Sequence, residues 1–114
     1  MEEDQGWVRL AGAARLGAGE MAGFSVGAQR IALYHLADGG WRASEDRCTH
    51  GQACLTEGYL EGNTVECPLH GGRFDLATGA GLGSPIFHDL VLYPVRVEGA
   101  DVLVRPDASG EGAS

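Results

Sequence analysis

Apolar positions in this chain fall into short runs separated by turn-like residues, with no long helical stripe. Six stretches are apolar or alternating and of strand length: "WVRLA" (7–11), "MAGFSV" (21–26), "RIALYHL" (30–36), "WRASE" (41–45), "VLYPVRV" (91–97) and "DVLVRP" (101–106). The breaks carry turn chemistry, "DGG" at 38–40, "EGN" at 61–63 and "EGAD" at 98–101. A helical turn has room between Arg15 and Met21, but the glycines around it argue against anything long. The pattern predicts a mostly β, antiparallel fold.

Between the fourth and fifth stretches the pattern lapses. Residues 71–83, "GGRFDLATGAGLG", are rich in glycine, where the backbone turns tightly or approaches a neighbour closely. "GAGLG" does not serve a nucleotide, because no strand, crossover helix and second strand surround it. Residues 46–84 therefore read as a smaller lobe inserted into a β base domain, with Pro85 reopening the β pattern. With 114 residues the chain is expected to form one domain, 1–114, and a bound inorganic centre can add substantially to the stability of a domain this small.

Composition narrows the partners. Eight arginines, with no lysine, stand against sixteen acidic residues, for a net charge of −8. Such a chain repels nucleic acid and anionic membrane; its charge serves either solubility alone or a docking surface for basic partners. No run approaches the length of a membrane span, and the start, "MEEDQGW", lacks the pattern of a secretory signal, so a cytoplasmic location is expected. The three cysteines suit a reduced compartment as ligands better than as a disulfide framework.

The chemistry concentrates in two short segments. "CTH" places Cys48 and His50 one residue apart; nineteen positions after Cys48, "CPLH" supplies Cys67 and His70. Thiolate with imidazole suits zinc, iron–sulfur and copper alike, so residue type alone leaves the metal open. Structural zinc modules usually separate paired ligands by two to four residues, whereas Cys48 and His50 leave one. Two segments that each offer one thiol and one imidazole are suited to a binuclear centre, with both thiols on one metal and both imidazoles on the other.

The stretch "CTHGQACLTEGYLEGNTVECPLHGGRFDLATG" resembles the Rieske iron–sulfur signature, Cys-x-His, a spacer, and Cys-x-x-His, and the flanking strands resemble the Rieske base domain. The resemblance implies one 2Fe-2S cluster, with Cys48 and Cys67 on one iron and His50 and His70 on the other. Two ferric ions, two sulfides and two thiolates sum to zero charge, so such a centre is easier to reduce than an all-cysteine one. High-potential members carry hydroxyls after the second histidine. Here that stretch reads His70-Gly71-Gly72-Arg73-Phe74, which predicts the low end of the Rieske range. Those members also brace the two loops with a disulfide. Leu69 stands in one of its positions, so Cys54 is expected to be a free, buried, dispensable thiol.

No Ser-His-Asp order and no ligand set for mononuclear iron appears, so the chain is read as a carrier rather than an enzyme. The overall pattern is most similar to the small Rieske ferredoxins of bacterial aromatic-ring-hydroxylating systems. That likeness implies a monomeric one-electron shuttle from an NAD(P)H-dependent flavoprotein ferredoxin reductase to a terminal oxygenase. Alternatives are the small subunit of a nitrite reductase, the ferredoxin of a multicomponent monooxygenase and, from another class, a structural zinc module. The expected contact edge is His50 and His70 at the tip, rimmed by Gln52, Pro68, Leu69, Pro85 and Ile86, with Glu57, Glu61 and Glu66 farther out. His35 and His88 receive no role, and Trp7 and Trp41 are expected in the base-domain core.

Overall fold

The computed structural model describes residues 6–27, 29–46, 54–67, 72–82 and 90–106. They form β1 (Val8–Arg9), β2 (Glu20–Val26), β3 (Gln29–His35), β4 (Trp41–Glu45), β5 (Tyr59–Glu61), β6 (Thr64–Glu66), β7 (Arg73–Asp75), β8 (Gly81–Leu82), β9 (Leu92–Tyr93), β10 (Val95–Glu98) and β11 (Asp101–Val104). Three antiparallel sheets result, in the orders β1-β11-β10, β2-β3-β4-β9 and β5-β6-β7-β8.

Strand β3 explains how the sheets stack. Alternate residues of a strand point to opposite faces. Ile31 and Leu33 pack with Leu10, Ala43, Val102 and Val104, on the side of the β1-β11-β10 sheet. Ala32 and Tyr34 pack instead with Leu55, Val65, Cys67, Phe74 and Leu76, on the side of the small sheet. The β2-β3-β4-β9 sheet is thus the middle layer at β3, and the unbroken apolar run "IALY" is what a strand covered on both faces requires.

The predicted strands are present, with three differences. "VLYPVRV" is two strands in two sheets: β9 pairs with β4, and β10 pairs with β11. Pro94 stands between them, and its missing N–H interrupts a ladder at the point where the chain changes sheet. The helical turn lies at Ala13–Arg15, before the stretch from Arg15 to Met21 where one was expected. Ala13 is the buried residue that anchors it in the core beside Leu10.

The third difference is the small sheet, whose four strands the hydrophobic pattern did not reveal. Its strands "YLE", "TVE" and "RFD" each hold one apolar residue directed to the core, too short a signal for alternation to register. Cross-strand register aligns these residues in one row, Leu60 opposite Val65 and Val65 opposite Phe74, with Gly81 at the end. Gly79 joins this sheet to the middle one. Its φ is +83°, and a Cβ there would lie 2.5 Å from the carbonyl oxygen of Leu90, whose N–H donates to Gly79 at 2.7 Å.

Candidate metal centre

Of the four predicted ligands, Cys67 lies among the described residues, and Cys48, His50 and His70 lie outside them. Cys67 directly follows β6. Its thiol is free and 1% exposed, enclosed by the core that β3 shares with the small sheet. Its backbone N–H donates to the carbonyl of Gly72 at 2.7 Å. That bond extends the β6–β7 ladder by one step beyond the pair Glu66 and Arg73, so the segment "CPLHGG" that contains His70 is closed at its base by the hairpin itself.

The first segment is tethered at both ends. Asp46 follows β4 and donates its N–H to the carbonyl of Arg30 at 3.0 Å. At the far end, Leu55–Glu57 form a single 3-10 turn, and Leu55 is fully buried in the same core as Cys67. Thr56 in that turn bonds the carboxylate of Asp46 through its N–H at 3.0 Å and its hydroxyl at 2.9 Å. Sequence reasoning assigned Asp46 and Thr56 no role. An acidic residue after a strand reads as a solvated turn, and only the fold shows that this one is buried.

A second buried polar pair joins β3 and β4. The Tyr34 hydroxyl is 2.8 Å from Ser44 Oγ, and Ser44 donates to the carbonyl of Glu45 at 2.8 Å, which leaves Tyr34 as the donor of the first bond. Burial pushes the Tyr34 phenol well above its ordinary pKa, against the smaller opposing effect of the Ser44 hydrogen bond. Tyr34 is therefore a neutral structural donor at any physiological pH.

The remaining expectations divide. Cys54 is a free thiol but half-buried, at the edge of the core and not within it, because it precedes the turn whose Leu55 takes the buried position. Trp41 packs against the base core and stacks on His35, with ring centroids 3.8 Å apart. Nδ1 of His35 lies 2.7 Å from the carbonyl of Leu16, which fixes that nitrogen as the protonated one. Trp7 is half-buried, not a core residue, with the guanidinium groups of Arg96 and Arg105 at 4.6 and 5.7 Å from its ring. Glu57 and Glu61 are exposed, and Glu66 is half-buried between Tyr59 and Arg73. His88 and the expected rim, Gln52, Pro68, Leu69, Pro85 and Ile86, lie outside the described residues.

A buried, free thiol at the mouth of a hairpin whose connection carries a histidine fits half of a mixed thiolate–imidazole donor set. Similarity to known proteins agrees with this chemistry. The model of the Rieske [2Fe-2S] domain matches residues 6–108, and the chain belongs to that family. Its cofactor is accordingly a Rieske-type 2Fe-2S cluster, which sets aside the zinc module.

Among individual relatives, the chain is 40% identical over 101 residues to the ferredoxin component of the naphthalene 1,2-dioxygenase/salicylate 5-hydroxylase systems of a Ralstonia species, covering 89% of this chain and 96% of that protein. It superposes with a TM-score of 0.80 and 37% identity on a chain of the solved complex of reduced oxygenase and oxidized ferredoxin in carbazole 1,9a-dioxygenase, covering 89% of this chain and 94% of that one. The ferredoxin of carbazole 1,9a-dioxygenase from Nocardioides aromaticivorans IC177 gives the same TM-score at 33% identity, over 88% and 97% of the two chains. Among the described residues no helix is long and apolar enough to cross a membrane.

Proposed function

We propose that this protein is the ferredoxin of an aromatic-ring-hydroxylating dioxygenase system, accepting single electrons from a flavoprotein reductase and delivering them to a terminal oxygenase. The observation that carries this reading is the match over nearly the full length of both chains to ferredoxin components of such systems, joined to a described core that ends in a buried free thiol. Cys48, His50, Cys67 and His70 would hold the cluster, within a single domain, 1–114, whose cluster-binding lobe runs from about 46 to 84. When bound, the cluster supplies one-electron chemistry at a potential that its hydrogen bonds tune.

The chain's own residues divide the remaining work. Leu55, Val65, Phe74 and Leu76 enclose Cys67 and keep that thiol from water. Exposed Glu57 and Glu61 lie on the lobe, where acidic charge steers a basic partner without being buried on contact. Reconstitution tests this reading. Purified protein mixed with candidate flavoprotein reductases and NADH or NADPH should be reduced by one electron per chain, then reoxidised by a terminal oxygenase in stopped-flow. Failure of every dioxygenase-system reductase, with reduction by a nitrite reductase large subunit, would move the protein to the alternative partner.

A further inference from the structure

Among the described residues Asp46 is the one fully buried charged side chain. Its surroundings are built to hold a carboxylate. Oδ1 accepts the N–H of Thr56 at 3.0 Å, and the Thr56 hydroxyl lies 3.0 and 2.9 Å from the two oxygens. Nε of Arg30, on β3, reaches Oδ2 at 3.3 Å, while the Arg30 carbonyl takes the N–H of Asp46. Gly23, on β2 opposite Ala32, provides the space. A Cβ at Gly23 would sit 2.5 Å from Asp46 Oδ2 and collide with Nη2 of Arg30. A side chain at Gly23 would therefore push the Asp46–Arg30 pair aside, and no unusual backbone conformation calls for glycine there.

We propose that Asp46 is a positioning residue for the first cluster-binding segment. Its carboxylate, braced by Arg30 and seated against Gly23, clasps Thr56 and closes the neck of residues 47–55, which carry Cys48 and His50. The inference rests on the reading of those two residues as ligands. A clasp between residues ten apart holds both ends of the segment in fixed relation, so the ligands are presented with less conformational freedom to lose when the metal binds. A carboxylate suits this position because it only accepts, and every neighbour that faces it here is a donor. An asparagine would keep the shape but, with its oxygen on the Thr56 N–H, would turn its NH2 toward Nε of Arg30, donor against donor.

The clasp is tested on the cluster-loaded protein by iron release to a chelator and by the EPR signal of the reduced cluster. Residues that support metal ligands from behind typically contribute about 10–100-fold in metal affinity. Asp46→Asn and Thr56→Val should release iron about tenfold faster than the native protein or more, with a broadened EPR signal. Thr56→Ser, which retains the hydroxyl, should restore both. Val102→Ala, in the opposite core, should lower the unfolding midpoint and leave the EPR signal native. If Asp46→Asn does not accumulate as folded protein, Thr56→Val decides. Native iron release and a native EPR signal in Thr56→Val overturn the clasp, as does an equally altered signal in Val102→Ala. Cys48→Ser in the same series separates the two claims: a native cluster there rejects the ligand reading, whereas its loss beside an unaffected Thr56→Val rejects the clasp alone.

Discussion

The two segments that carry the Cys–His pairs are closed at their bases by different means. Residues 67–72 are closed by a hydrogen bond between main-chain atoms alone, Cys67 N–H to the Gly72 carbonyl. Residues 46–56 are closed by a side chain, and both of its partners in the turn belong to one residue, Thr56. The first kind of closure inherits the stability of a sheet; the second depends on a single buried carboxylate. A hairpin distributes its strength over a ladder and a row of core residues, so damage to it arises through the core. A clasp concentrates its strength, so one atom changed is enough.

The largest expected effect falls on the hairpin side, at the proposed ligand Cys67. Cys67→Ser should abolish the native visible spectrum and leave less than about a tenth of the native iron and sulfide, measured on purified protein. Next is the row that supports it. Phe74→Ala removes a fully buried ring beside Cys67 and should cost about 3–5 kcal/mol in chemical denaturation. The contrast between the two closures breaks if that substitution loosens the 46–56 segment without loosening the hairpin, as read by amide exchange at Thr56 and Cys67.

Smaller effects sharpen it. Gly72→Ser and Phe74→Tyr each add a hydroxyl, one at the residue whose carbonyl closes the hairpin and one in the core that encloses Cys67. A hydrogen bond of about 1 kcal/mol that stabilises the reduced form corresponds to a rise of about 40 mV for a one-electron couple, and voltammetry should show a rise of that order for each. No rise in either would mean that the new hydroxyls do not reach the cluster. The smallest effect belongs to the exposed carboxylates. Glu57→Gln with Glu61→Gln should slow association with the reductase at low ionic strength and flatten its salt dependence, while leaving stability within about 0.5 kcal/mol.

Much of this molecule is legible in its sequence. The base-domain strands announce themselves because each lies within a stretch of five or more residues of apolar or alternating pattern, and the Cys–His spacing announces the metal chemistry because few centres use two thiols and two imidazoles in that order. The small sheet is hidden for the opposite reason: Leu60, Val65 and Phe74 are single inward residues on strands of three, and they form a core row only when register aligns them. Asp46 is hidden too, since its burial arises from a glycine twenty-three residues earlier and a threonine ten residues later, which no local pattern connects. Cys54 shows the finer limit: hydrophobic character placed it inside, and the burial of Leu55 in its stead left it at the margin.

The central claim is that two thiols and two imidazoles hold the cluster, and pulsed EPR on the reduced protein addresses it directly. Protein grown with nitrogen-15 histidine should show two histidine nitrogens strongly coupled to the cluster spin. The coupling should persist in His35→Gln, whose ring is occupied by the Leu16 carbonyl and Trp41 in the base domain. A signal with no coupled histidine nitrogen, or with a single one, would contradict a cluster held by Cys48, His50, Cys67 and His70.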